Sequence, residues 1–157
     1  MKRIIPIIFA ALLLCSCSDR LNIVFDTPFV SIMDDGNGSS ITIPNDMNNV
    51  LSILTVKVNA SKNYFKEAIT IEYDVVVGNG LKEGVDFSIQ PNTKSPLVFE
   101  PGEYSRPVRI IWNKNPNLDP EKDNTLTLVL KSSSVKEMVL GYPGPDALYS
   151  TYKFTKK

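Results

Sequence analysis

Ile69-Thr70-Ile71-Glu72-Tyr73-Asp74-Val75-Val76-Val77 is the stretch that decides the fold class. Ile69, Ile71, Tyr73, Val75 and Val77 fall on one face, and Thr70, Glu72 and Asp74 on the other. A period of two over this length is the signature of a half-buried strand. Gly78-Asn79-Gly80 ends it, because Gly and Asn tolerate positive φ.

The same pattern repeats on both sides. Phe29–Met33 predicts a strand, Asp34-Asp35-Gly36-Asn37-Gly38 a turn, and Ser39–Ile43 a short strand stopped by Pro44. In Leu51–Val58, Leu54, Val56 and Val58 alternate with Ile53, Thr55 and Lys57. Asp86–Ile89 and Pro96–Phe99 flank a polar loop at Pro91-Asn92, and Pro101-Gly102-Glu103 is a turn. Val108, Ile110 and Trp112 alternate with Arg109 and Ile111, which predicts Trp112 in the core. Residues 113–122 read as a polar loop. Leu126, Leu128 and Leu130 point inward from a strand over Thr125–Lys131, and Leu148–Phe154 is the last strand. No stretch has convincing helical periodicity; the best turn of helix is near Ser134–Met138. Many short strands punctuated by Gly and Pro predict an all-β, antiparallel sandwich.

The N-terminus has a different character. Met1-Lys2-Arg3 is basic, and Ile4–Leu14 is apolar apart from its Pro6 break. That run is far shorter than the roughly 20 residues a bilayer span needs, and it fits the apolar region of a secretory signal peptide. It ends in Leu14-Cys15-Ser16-Cys17, which resembles the lipobox of bacterial lipoproteins. The resemblance implies a signal peptide over residues 1–16, lipidation at Cys17, a tether over residues 17–28 with a candidate strand at Asn22–Phe25, and a domain over residues 29–157. Two or more acyl chains hold a protein stably on a membrane. Cys17-Ser18-Asp19 resembles exported lipoproteins of the Bacteroidota, many of them surface-exposed. The expected location is the outer membrane or cell surface.

Composition excludes several functions. The chain has 157 residues, 17 basic and 17 acidic. Lys2 and Arg3 lie in the signal segment, so the remainder carries 15 basic against 17 acidic residues. There is no basic field for nucleic acid. With no histidine anywhere, Ser-His and Cys-His nucleophile pairs are ruled out. Cys15 and Cys17 are the only thiols, so the domain has neither a disulfide nor a thiolate metal site. No carboxylate pair or nucleophile motif points to an enzyme.

Four segments in order carry a further resemblance: Gly84-Val85-Asp86-Phe87; Leu97-Val98-Phe99-Glu100-Pro101-Gly102-Glu103; Val108-Arg109-Ile110; and Asp119-Pro120-Glu121-Lys122-Asp123-Asn124-Thr125-Leu126-Thr127-Leu128. Over roughly Val30–Lys131 this pattern resembles the Calx-beta domain. The resemblance implies an immunoglobulin-like β-sandwich of about seven to nine strands. Some members of that family bind calcium at one end. Here the candidate metal ligands are Asp119, Glu121 and Asp123, with Glu83 or Asp86. The chain departs from the calcium-binding pattern: it lacks the early Glu-Gly pair, and Asn113-Lys114-Asn115 replaces an aspartate run. Calcium takes six to eight oxygens, several of them charged. No cofactor is therefore expected, with calcium as the one candidate. The competing reading of the acidic loop is a solvated turn whose carboxylates cap backbone N–H groups.

Tyr64, Phe65, Tyr104 and Tyr142 lie in turns and loops and are the candidate ligand-binding residues, for a glycan or an envelope protein. The expected function is a non-enzymatic, membrane-anchored binding or assembly module, with nutrient acquisition as one setting. The alternatives are a calcium-dependent adhesion domain and a structural envelope protein without a small ligand.

Overall fold

The computed structural model describes residues 27–61 and 65–157. Cys17, the candidate strand at Asn22–Phe25 and Tyr64 lie outside the described residues. The described residues form ten strands: β1 (Phe29–Met33), β2 (Ser40–Ile43), β3 (Val50–Asn59), β4 (Ile69–Val77), β5 (Phe87–Ile89), β6 (Leu97–Phe99), β7 (Ser105–Trp112), β8 (Thr125–Ser133), β9 (Val139–Leu140) and β10 (Thr151–Lys156). A 3-10 turn spans Pro91–Thr93. Among the described residues no helix is long and apolar enough to cross a membrane.

The strands form two five-stranded sheets, ordered β5-β7-β3-β1-β9 and β2-β10-β8-β4-β6. The fold is the expected all-β sandwich. The longest seam is β3 against β7, in register from Val50 opposite Trp112 to Lys57 opposite Ser105. Inward positions alternate as their period requires: Leu54, Val56 and Val58 on β3, Val108, Ile110 and Trp112 on β7, and Leu126, Leu128 and Leu130 on β8 are all buried. Phe87, Trp112, Phe154 and Tyr152 form a chain of ring contacts between the sheets, with successive centroids 5.8, 5.3 and 4.9 Å apart. Trp112 Nε1 donates to Ser52 Oγ at 3.1 Å, so its polar edge is satisfied inside the core.

Three features differ from the sequence-based expectation. First, not every pairing is antiparallel: β1 runs parallel to β9, and β2 parallel to β10. Both parallel pairs arise where the chain passes from one sheet to the other. Second, β9 adds a tenth strand that is only two residues long. Third, the alternation of β4 does not hold to its end. Ile69, Ile71 and Tyr73 are buried, Val75 is half-buried, and Val77 is 40% exposed. A register shift at Glu72/Tyr73 interrupts the ladder with β8, and β6 pairs only with Ile69–Ile71, so the second half of β4 is a free edge. Burial pushes the Tyr73 phenol up to about 12, and its hydroxyl donates to Thr93 O at 2.7 Å.

Candidate functional site

The loops β2–β3, β4–β5 and β7–β8 and the C-terminal end of β10 meet at one end of the sandwich, and Asp86 is their hub. Gly84, at φ 82°, lets the preceding loop fold back so that the Asp86 N–H reaches Lys82 O and the Gly84 N–H reaches Phe87 O. The Lys82 N–H then donates to Asp86 Oδ2 at 2.9 Å. Asp86 Oδ1 accepts from Asn115 Nδ2 at 2.8 Å and from Lys156 Nζ at 2.9 Å. Lys156 also donates to Asn113 O at 2.6 Å. The Lys156 side chain is 0% exposed and that of Asp86 2%. Burial alone would raise the Asp86 pKa. The hydrogen bonds from Lys156, Asn115 and the Lys82 N–H, with the lysine's charge, outweigh it and hold the carboxyl below its usual range.

Lys156 is inward for a simple reason. Tyr152, Phe154 and Lys156 share one face of β10, so the alternation that buries two rings also buries the ammonium. A sequence reading that stops the strand at Phe154 leaves this lysine as a surface charge. Lys156 is the buried cation at this end, whereas Lys114 is exposed.

Beside this network lies a cavity of about 550 Å³, lined by Asn45, Leu118, Pro120, Lys122, Asp123, Asn124, Thr125, Thr155, Lys156 and Lys157. Leu118 and Pro120 supply apolar surface, and the remaining lining is polar or charged. The β7–β8 loop is held against the rest by close backbone approach. The Gly78 N–H donates to Thr125 O and the Gly80 N–H to Asp123 O. A Cβ on Gly78 would collide with the Asp123 backbone oxygen, and one on Gly80 with Asn124 Oδ1.

The candidate metal ligands are engaged locally. Asp119 Oδ1 accepts the Glu121 N–H at 3.0 Å, and Asp123 Oδ1 accepts the Thr125 hydroxyl at 2.7 Å. Glu121 is exposed. Among the described residues no three acidic side chains are grouped closely enough to hold a metal ion. Asp86 is committed to Lys156 and Asn115, and Glu83 Oε1 pairs with Lys94 Nζ at 3.0 Å. In the Asp34–Gly38 turn both carboxylate oxygens are taken, Oδ1 by the Gly38 N–H and Oδ2 by the Tyr152 hydroxyl.

The candidate ligand-binding aromatics do not form one surface. Phe65, expected to be an exposed loop residue, is 6% exposed and packs on Tyr104 with centroids 4.6 Å apart. The Phe65 ring belongs to the buried hydrophobic core, where it is removed from water. Tyr104 keeps 36% of its surface exposed. Tyr142 belongs to a separate cluster, with Phe29 at 5.1 Å and Tyr149 at 4.9 Å. Neither Tyr104 nor Tyr142 lines the cavity.

No protein-family model and no curated protein matches the chain. Solved structures do match. The apo-form Calx CBD1 domain aligns over 82% of this chain and 98% of its own, with a TM-score of 0.52 and 16% identity. A two-domain protein of unknown function from Bacteroides fragilis aligns over 99% of this chain with a TM-score of 0.51 and 14% identity, and this chain spans 51% of it. At these identities the likeness is one of fold: a β-sandwich similar to that of the Calx-beta domain.

Proposed function

We propose that the chain is an exported lipoprotein, anchored through Cys17, whose β-sandwich binds a glycan or an envelope protein at its loop end and catalyses no reaction. The observation that carries this reading is the cavity of about 550 Å³ among the loops. Its volume falls within the several hundred Å³ typical of small-ligand pockets, and its apolar patch with convergent polar groups is the usual composition of such sites. Loops at the end of a sandwich are where binding residues are commonly carried on a rigid scaffold. The lipobox-like Leu14-Cys15-Ser16-Cys17 supports the anchor, and the lack of histidine supports binding over catalysis.

The test is a panel of oligosaccharides and purified envelope proteins titrated against the full-length protein, with thermal unfolding as readout. A ligand at 100 times its Kd adds about 2.7 kcal/mol of stability. The expected result is a saturable rise in Tm that Leu118→Trp, which fills the cavity, abolishes. A ligand that binds the filled variant as well as the parent contradicts the assignment of the site.

A further inference from the structure

We propose that Lys156 and Asn115 become joined by an isopeptide bond within the folded chain, with Asp86 moving the protons and ammonia leaving. The inference rests on the buried network and is independent of the ligand reading above.

Three groups are placed for this reaction. The amine and the side-chain amide share one acceptor: Lys156 Nζ lies 2.9 Å and Asn115 Nδ2 2.8 Å from the same oxygen, Asp86 Oδ1. That oxygen can therefore take a proton from the amine and deliver one to the amide nitrogen. The other carboxylate oxygen is fixed by the Lys82 N–H. Asn115 Oδ1 accepts the Asn117 N–H at 2.9 Å, so a donor already faces the oxygen on which negative charge would develop. Asn45 holds the Asn115 backbone on both sides, donating from Nδ2 to Asn115 O and accepting the Asn115 N–H, each at 2.8 Å. The Lys156 side chain has no exposed surface, so its amine is held by Asp86 and the Asn113 carbonyl instead of by bulk water. Fixing two reactants in this way converts an impossibly slow bimolecular aminolysis into a unimolecular step.

The step balances without any co-reactant. The Lys156 ammonium passes a proton to Asp86 Oδ1, and the amine lone pair attacks Asn115 Cγ. The new C–N bond forms while the carbonyl pair moves onto Oδ1, facing the Asn117 N–H. Asp86 transfers its proton to Nδ2 and takes the second amine proton. The Cγ–Nδ2 bond breaks, the carbonyl re-forms, and ammonia leaves with that last proton as ammonium. An ammonium and a primary amide become a secondary amide and an ammonium ion, and Asp86 ends as a carboxylate. Its carboxyl is held below the usual range, so the first proton transfer runs uphill. The bond forms once per molecule, so a slow reaction suffices.

The following residue sharpens the assignment. Pro116 has no backbone N–H, so Asn115 cannot lose ammonia by cyclising onto the next peptide nitrogen. The product would fasten the inward end of β10 to the β7–β8 loop, and the last strand could not peel from its sheet.

The test is peptide mapping of the full-length protein, stored for days, then denatured and digested with trypsin. The expected product is residues 115–122 joined to residues 154–157, lighter by one ammonia than the two free peptides together, with the free 115–122 peptide absent. Asn115→Ala and Lys156→Met each yield unlinked chains, and Asp86→Asn leaves both reactants present and unlinked. Should a variant fail to fold, the parent map still decides. Both peptides running free at unmodified mass overturns the proposal. So does a link from Lys156 to Asp86 with loss of water, or an ammonia loss confined to one peptide.

Discussion

The Tyr152 hydroxyl donates a 2.7 Å hydrogen bond to Asp34 Oδ2, tying the strand that ends the chain to the turn where β1 gives way to β2. The other oxygen of that carboxylate accepts the Gly38 N–H at 2.6 Å. The bond from Tyr152 and then the one from Gly38 hold Asp34 below the usual carboxylate range, against an opposing contribution from burial. Burial, and then the Asp34 carboxylate, push the Tyr152 phenol up.

A carboxyl whose folded pKa is depressed contributes stability above its unfolded value, about 3.9, and loses it as pH falls through the folded pKa. Asp34 therefore predicts a Tm that is level from neutral pH to about pH 5 and declines below about pH 4. Asp34→Asn should flatten that decline. Tyr152→Phe should flatten it partly and cost about 1–3 kcal/mol at neutral pH, the range for hydrogen bonds to charged groups. Thermal melts across a pH series check this, and an unaltered acid slope in Asp34→Asn contradicts it.

Trp112 is 1% exposed and touches Phe87 and Phe154. Trp112→Ala should cost about 3–5 kcal/mol in urea unfolding. Trp112→Phe keeps most of the ring volume but strands Ser52, so the loss should be smaller. Unchanged stability in Trp112→Ala would remove this residue from the core.

Gly78 and Gly84 should respond differently to alanine. At Gly78 the new carbon meets the backbone oxygen of Asp123, which cannot swing aside, and overpacking of this kind costs about 1–3 kcal/mol. At Gly84 nothing lies within 4 Å and only the φ of 82° opposes the change, so the cost should stay at about 1–2 kcal/mol, that of the left-handed conformation alone. Chemical denaturation of the two variants side by side measures the difference.

Calcium should leave the melting temperature within a few degrees of its value in chelator. Asp119 and Asp123 accept hydrogen bonds within their own loop, and Asp86 faces an ammonium. A useful site needs several anionic oxygens converging on one point. A large, saturable rise in Tm that Asp123→Ala abolishes would restore the calcium-dependent adhesion reading.

Strands long enough to show alternation were legible in the sequence. Leu54, Val56 and Val58 on β3 and Leu126, Leu128 and Leu130 on β8 face inward as their spacing requires. The two residues of β9 are too few to show a period, and the parallel pairing of β2 with β10 joins segments over 100 residues apart, which no local pattern encodes. The loop end was harder to read. Lys156 looks like part of a charged terminus until the strand containing Tyr152 and Phe154 is extended by one inward position. Phe65 looked exposed because loop position alone does not tell whether a ring turns outward or plugs the core.

Anchoring through Cys17 is tested most directly by metabolic palmitate labelling of cells expressing the full chain, followed by membrane fractionation. Label is expected on the parent protein in the outer-membrane fraction, together with an unlabelled Cys17→Ala protein that is released or left unprocessed. Palmitate retained by Cys17→Ala, or a parent protein that is unlabelled and soluble, would contradict it.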